Sequence, residues 1–416
     1  MAWTGIAAIL LKGGRTVHSR FRLPFNINSE STSSITADSS EAQQLREARL
    51  IVWDEITMAN VHAFNLVDRL LRDVTDDQRP FGGKVVFVGG DFRQCLPVIP
   101  RGSRTLIVES CVVQATVWPA FKHFQLRRNM RALDGEQQFK DWLLQLGNGE
   151  LRAAQNTNLT ENLILIPDEF VVRDVVAAIY GDVNTNTGND AQSKIILCPR
   201  NDECDQINEK IIENLTGTSK SYLSADSIDA TDQRERDNFP IEFLHSLTPS
   251  GMPPHSLTLK VGAPIMLLRN LAISDGLCNG TRLTVVGLSD NLIHAEISMG
   301  QFKGTRTFIP RMDLTSGETS LPFTLKRRQF PLKVCYAMTI NKSQGQSFDM
   351  VGIYLRQLVF AHGQLYVAFS RGKSWSSVKV QIGENESCKD LCTRNCTKNI
   401  VYASLLQLIR RNQSVN

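Results

Sequence analysis

The stretch Leu50-Ile51-Val52-Trp53-Asp54-Glu55 constrains this chain more than any other. Four apolar residues in a row predict a strand buried on both faces of a parallel sheet. Two acids follow at the carboxyl end of that strand, the edge at which open α/β sheets bind ligands. One acid there can hold Mg²⁺ through its water shell, and a second can position a water for attack on a phosphate. A strand that ends in a charged turn fits the same six residues.

A second run, Lys84-Val85-Val86-Phe87-Val88-Gly89-Gly90, also reads as a buried strand and ends in Asp91, Arg93 and Gln94. A glutamine at a strand end can bond a γ-phosphate or its attacking water. Two such strands at one sheet edge carry more weight than one. Between them, Val61, Phe64, Val67 and Leu71 recur at helical spacing, a core stripe with no chemistry of its own. Phe124-Gln125-Leu126 reads as a further strand, followed by Arg127, Arg128 and Arg131 and a helix to about Leu146. Ser40-Glu41-Ala42-Gln43 has the form of a capping box.

Alternation restarts near Lys194: Ile195-Ile196-Leu197-Cys198 predicts a strand, and Asp202 can cap the helix that follows. Residues 216 to 256 read as polar and irregular. From Leu257 to about Phe330 short strands and glycine turns predict a small β-barrel inserted in an α/β domain. The α/β pattern returns at Leu332, and Ile400 to Ile409 forms an amphipathic docking helix.

Composition narrows the class without identifying it. Lys+Arg 46 against Asp+Glu 42 leaves +4, so any nucleic-acid contact depends on local placement of charge. Nine scattered cysteines suit a reducing compartment. Cys388, Cys392 and Cys396 fall one ligand short of a closed zinc site. No run approaches the ~18 apolar residues of a membrane span, and the apolar start, Met1 to Leu11, is not a signal peptide.

Several further stretches, in order, resemble the petite-integration-frequency (Pif-type) DNA helicases of the RecD-like branch of superfamily one, above all the forms carried by Helitron transposons. In the first third they are Thr4-Gly5-Ile6-Ala7-Ala8, Gly14-Arg15-Thr16-Val17-His18-Ser19, Asp54-Glu55, Gly89 through Pro97, and Asn129-Met130-Arg131. In the later half they are Leu267-Leu268-Arg269-Asn270, Cys278 through Arg282, Ala337 through Gln346, and Gly363 through Arg371. The resemblance spans nearly the whole chain.

It implies an α/β fold of two RecA-like P-loop NTPase lobes, with an SH3-like β-barrel inserted in the second. The expected division is a first lobe at 1–132, a connecting helical region at 133–190, the second lobe at 191–256 and 331–416, and the barrel at 257–330. It implies an ATP-dependent 5′-to-3′ helicase with ATP and Mg²⁺ as cofactors and single-stranded DNA and DNA forks as partners. A monomeric motor off the membrane, in the nucleus or mitochondrion, serving repair, recombination, telomere maintenance or transposon replication, belongs to the same picture. By motif, Asp54 holds Mg²⁺, Glu55 orients the water, Gln94 senses the γ-phosphate, Arg131 and Arg371 are arginine fingers, and Gly345 and Gln346 lie near the nucleotide. Thr4, Gly5, His18 and Ser19 on one lobe, and Thr339, Asn341 and Lys342 on the other, are the expected DNA contacts. Lys326-Arg327-Arg328 is either a further phosphate contact or a solvated barrel face.

One departure dominates. No G-x-x-x-x-G-K-[ST] occurs in these residues. That loop supplies backbone N–H groups, a lysine and a hydroxyl to the triphosphate. The expectation is therefore a first lobe truncated before its P-loop strand, with weak or absent ATP turnover. A non-catalytic remnant that binds single-stranded DNA or a partner is the competing expectation. Trp3, in place of a small residue, is expected to disturb the nearby turn.

Overall fold

The computed structural model describes residues 1–24, 26–151, 162–181, 189–229, 239–317, 321–383 and 395–414. Cys388 and Cys392 lie outside them, while Cys396 is buried in a short strand.

The first lobe is built on β1 (Leu50–Trp53) and β2 (Val85–Val88), which pair in parallel with Leu50 opposite Val85. Met1 and Ala2 extend this pair along the other edge of β1: Asp54 N–H donates to the Met1 carbonyl at 2.9 Å. The helix Val61–Thr75 closes one face, its predicted stripe of Val61, Phe64, Val67 and Leu71 buried with Trp53. Each large side chain so buried contributes roughly 1.5–3 kcal/mol. Asn60 caps the helix by accepting from the His62 N–H, and Asp76 ends it at φ 53°. Trp118 and Phe121 complete this core against Phe64. The C-terminal helix Ala403–Ser414 docks on the same cluster through Tyr402 and Leu405, in keeping with the predicted amphipathic segment.

Three local expectations are corrected here. Phe124-Gln125-Leu126 forms no strand; residues 122–129 carry no regular structure and have no ladder partner among the described residues. Ser39, not Ser40, caps the helix Ser40–Glu47, accepting from the Ala42 N–H. Asp202 sits in the first turn of the helix Asn201–Asn214 rather than at its cap, which is Arg200.

β3 (Leu163–Leu165) pairs with the distant strand Cys396–Lys398. The second lobe is then a parallel sheet, ordered 337–339, 194–198, 350–355, 378–382 across its width. Its strand β4 (Lys194–Cys198) is fully buried from Ile195 to Cys198. Alternation divides those residues between two cores. Ile196 and Cys198 face Val175, Ile179, Cys204, Ile207 and Ile211, whereas Ile195 and Leu197 face Phe139, Leu143, Leu365 and Phe369.

The inserted module is larger than 257–330. β5 (Ser219–Leu223) and β6 (Ala225–Ile228) lie in the stretch expected to be irregular. β5 pairs antiparallel with β7 (Ser256–Lys260). β8 (Pro264–Leu267), β9 (Arg282–Leu288), β10 (Leu292–Ile297) and β11 (Arg306–Pro310) form consecutive antiparallel neighbours. β12 (Met312–Thr315) pairs with β13 (Leu325–Gln329), and β13 with β6. β14 (Leu332–Val334), expected to restart the α/β pattern, instead pairs antiparallel with β8. The parallel sheet resumes with β15 (Ala337–Thr339), β16 (Met350–Leu355) and β17 (Val378–Ile382), and β18 is Cys396–Lys398.

The centre of the basic run in the module is unavailable to a phosphate. Arg327 is fully buried and forms a bidentate pair with Asp226, at 2.9 and 2.6 Å, while donating to the Pro253 and Leu244 carbonyls. Lys326 and Arg328 are both held by Asp313 on β12. No helix among the described residues is long and apolar enough to cross a membrane.

Candidate active site

The end of β1 delivers the two acids differently. Asp54 Oδ1 accepts from the Glu55 N–H at 2.9 Å. Glu55 itself is left-handed, φ 52° and ψ 41°, which costs a non-glycine residue on the order of 1 kcal/mol. Two contacts hold it there. The next residue's N–H donates to the Gly89 carbonyl at 2.9 Å, and Gln344 Nε2 donates to Glu55 Oε2 at 2.9 Å from the second lobe. Burial raises the Glu55 pKa above its ordinary value, with the Gln344 bond opposing and Asp54 reinforcing. Gly89 leaves room for Asp54: a Cβ there would stand 3.1 Å from Oδ1.

The loop after β2 is clamped by the second lobe. Asp91 Oδ1 holds Arg93 at 2.8 Å, and its Oδ2 accepts from the Tyr366 hydroxyl at 3.1 Å and from Gln94 Nε2 at 3.5 Å. Burial, then Asp91, raises the Tyr366 phenol to about 12. Gly363, at φ 73°, comes so close that a Cβ would lie 2.4 Å from the Arg93 carbonyl oxygen. His362 Nε2 donates to the Phe92 carbonyl at 2.7 Å, and its Nδ1 accepts from the Tyr402 N–H at 2.8 Å. Those partners fix a neutral ring, in agreement with a pKa lowered by burial.

Two guanidiniums complete the cluster. Arg131 crosses from the first lobe, Nε to Ser347 Oγ at 2.6 Å and Nη1 to the Ser370 carbonyl at 3.2 Å. Arg371 is fully buried and donates to the carbonyls of Val367, Ser343 and Gln346. Burial, then the neighbouring Arg131, lowers its pKa to about 9. Glu55 is close enough to counter both. Inside this ring of charge, the Oε1 atoms of Gln94 and Gln344 are buried with no hydrogen-bond donor. An unsatisfied acceptor next to a carboxylate suits a water that gives it one proton and keeps the other for the acid.

Asp54, Glu55, Gln94, Arg131, Arg371 and Gly345 therefore meet at one interlobe cleft; a Cβ on Gly345 would lie 3.8 Å from Glu55 Oε1. Gln346 faces its own loop, donating to the Lys342 carbonyl at 2.9 Å. Gln344, its neighbour but one, touches the acid. The glycine between them marked the loop, and sequence offered no means of choosing the right glutamine. Asp54 fits Mg²⁺: a half-buried carboxylate at the sheet edge offers the hard oxygen that ion takes.

The expected DNA contacts have mixed surroundings. Thr4 Oγ1 caps the helix Gly5–Ile9, accepting from the Ala7 N–H, and Gly5 abuts Cys278 of the inserted module. His18 packs against Trp3 edge to face at 4.7 Å, so Trp3 fills the turn rather than breaking it. The Ser19 N–H donates to Thr16 Oγ1. Thr339 ends β15. Asn341 Oδ1 accepts from Cys95 Sγ at 3.4 Å and Gln364 Nε2 at 3.2 Å. Lys342 is half-buried, and desolvation, then Lys333, lowers its pKa.

A profile for PIF1-like helicases matches residues 1–157, and one for the DNA helicase Pif1 2B domain matches 242–288. The ATP-dependent DNA helicase PIF1 of Xenopus laevis is 27% identical over 380 residues, covering 91% of this chain. That of Rattus norvegicus is 31% identical over 333 residues, covering 79%. The chain belongs to the PIF1-like helicase family. It spans about half the length of these two relatives, 54% and 46%. The Pif1 of Bdellovibrio bacteriovorus is 29% identical over 90% of this chain and 75% of its own length. Among solved structures, Bacteroides Pif1 in complex with ADP-AlF3 and ssDNA superposes with a TM-score of 0.69 at 25% identity, covering 99% of this chain and 86% of that one. Candida albicans Pif1 shares the fold, with a TM-score of 0.61 at 20% identity over 96% of this chain and 85% of its own. The match to the 2B-domain profile falls within the inserted β-module.

Proposed function

We propose that this chain is the core of an ATP-dependent DNA motor that moves 5′ to 3′ on single strands and opens forks. The observation that carries the reading is the single cleft in which Glu55 of one lobe meets Gln344 and Arg371 of the other, with Gln94 and Arg131 beside them. The family relationship and the nucleotide and single strand bound by the Bacteroides relative support it.

In this reading Asp54 holds Mg²⁺, which offsets phosphate charge when bound. Glu55, left-handed and half-buried, accepts one proton from a water whose other proton goes to an unsatisfied glutamine oxygen. Arg131 and Arg371 offset charge on the phosphoryl oxygens, an effect worth about 10³–10⁵ in rate for an arginine finger. Closing the lobes requires these guanidiniums to exchange carbonyl partners for phosphate.

The triphosphate needs a cradle that no G-x-x-x-x-G-K-[ST] in this sequence supplies. β2 pairs only with β1 among the described residues, and Val85 and Phe87 on it are 65% and 57% exposed. Phe124 and Leu126 are 76% and 96% exposed. The unpaired edge of β2 leaves room for a phosphate-cradling strand in the active motor. It fits equally the second reading, a remnant that binds single-stranded DNA without turnover.

The test is ATP turnover with single-stranded DNA, on residues 1–416 alone and on the same chain preceded by a strand, a Gly-rich loop ending in Gly-Lys-Thr and the helix that follows it. The motor reading expects little turnover from the first and DNA-stimulated turnover, lost on Glu55→Gln, from the second. No turnover from either, with DNA binding retained, supports the remnant. DNA-stimulated turnover by 1–416 alone, lost on Glu55→Gln, refutes the need for an added cradle. Roles in repair, recombination, telomere maintenance or Helitron replication, a nuclear or mitochondrial address, and action by single copies are part of the proposal. A related structure describes two coordinating Pif1 helicases at a fork.

A further inference from the structure

Phe360 is 56% exposed, yet its backbone is pinned. The N–H groups of Phe360 and Ala361 both donate to Gln364 Oε1, at 3.0 and 3.1 Å. Upstream, the Gln357 N–H donates to Glu203 Oε1 at 3.0 Å; downstream, His362 is bound to the Phe92 carbonyl at 2.7 Å. Val359 beside it is buried. A single exposed phenylalanine is ordinary on a protein surface. This one is held in place on both sides.

The guanidinium of Arg200 stands over the ring, its Cζ 5.9 Å from the centroid. Arg200 is exposed, and its charge also acts on Glu203. It leaves β4 two residues after Cys198, and Phe360 leaves β16 five residues after Leu355. β15, β4 and β16 are parallel neighbours, so their carboxyl ends share one edge. The third strand of that edge, β15, ends in Thr339 and leads into Asn341 and Lys342. Gln364 joins the two ends of the row: its Oε1 holds Phe360 and its Nε2 donates to Asn341 Oδ1 at 3.2 Å.

We infer that Phe360 and Arg200 form a base-stacking platform for single-stranded nucleic acid on the second lobe. The ring offers a sequence-tolerant π-face, and the arginine adds a cation beside the backbone phosphates. Because the loop is already ordered, stacking costs little further ordering of the protein. The inference rests on the DNA-motor reading and adds to it a contact with bases beside the phosphate contacts.

The test is fluorescence anisotropy of residues 1–416 with a labelled oligothymidylate across a salt series. Both side chains are exposed, so their variants retain the wild-type melting transition. Phe360→Ala weakens binding about 10-fold with an unchanged salt slope, because stacking releases no counterion. Phe360→Trp restores affinity, and its fluorescence is quenched by the oligomer. Arg200→Ala lowers the salt slope by about one. If Phe360→Ala binds as wild type does while Lys342→Ala is weakened, the platform is overturned and the DNA reading stands. If the wild-type chain binds no single strand, both fall.

Discussion

Gln344 donates from Nε2 to Glu55 Oε2 at 2.9 Å, a hydrogen bond that spans 289 residues of sequence and joins the two lobes at the acid. The bond favours the ionised carboxylate, while burial favours the neutral one, and burial prevails. Gln344→Ala therefore raises the Glu55 pKa further. Carboxyl-carbon NMR of Glu55 reads the direction, and a downward shift would remove Gln344 from the acid's environment.

The raised pKa of Glu55 makes a stability prediction with a fixed sign. Below the unfolded value near 4.5 the carboxyl is neutral in both states and contributes no charge penalty. As pH rises above it the unfolded carboxyl ionises while the buried one stays neutral, so stability falls until pH has passed the raised folded value, where the penalty is complete. Glu55→Gln thus raises the melting temperature at pH 7 and gives no gain at pH 4. Equal gains at both pH values would assign the effect to packing.

Arg327 and Asp226 are both fully buried at the side chain. Arg327→Ala leaves the carboxylate without its partner and frees the Pro253 and Leu244 carbonyls, a loss of about 3–5 kcal/mol. Arg327→Met with Asp226→Asn is expected to lose less than Arg327→Ala alone. Urea denaturation of the three chains measures the order.

Tyr366→Phe removes one hydroxyl and keeps the ring. Asp91 Oδ2 loses a donor from the second lobe at a cost of about 1 kcal/mol. Hydrogen exchange is expected to quicken at Arg93 and Gln94 and to stay unchanged at Val85–Val88. Uniform protection across both segments would show that Gly363 and His362 suffice as clamps.

Lys342→Ala weakens single-strand binding and lowers its salt slope by about one counterion. The amine is half-buried, so its removal also lightens a desolvation penalty, and the variant is no less stable than wild type. Equal slopes for the two proteins would take Lys342 out of the DNA path.

Particular elements show what could be read in advance. The apolar runs announced the strands β1 and β2 and the acids announced the edge, since both properties are local, but the expected burial on both faces is not met: Leu50 is exposed and β2 has no buried residue. The stripe Val61, Phe64, Val67 and Leu71 announced its helix for the same reason. The module's extent was not announced. β6 pairs with β13 about a hundred residues away, and β14 turns back onto β8. Antiparallel partners so distant leave no periodic trace in either segment. Phe124 and Leu126 carried the alternation of a strand, yet a strand needs a neighbour, and none among the described residues supplies one.

The sequence by itself determined which side chains carry charge and which strands end in them, because strand propensity, burial pattern and motif order act over a few residues. Only the tertiary structure decided that Gln344, rather than Gln346, touches Glu55, that Tyr366 and His362 grip the Gln94 loop, and that Arg327 is sealed in a core. Those outcomes depend on which surfaces are brought within about 3 Å of each other, the range at which hydrogen bonds form and desolvation is offset. That distance is set by the packing of two lobes, and no single segment encodes it.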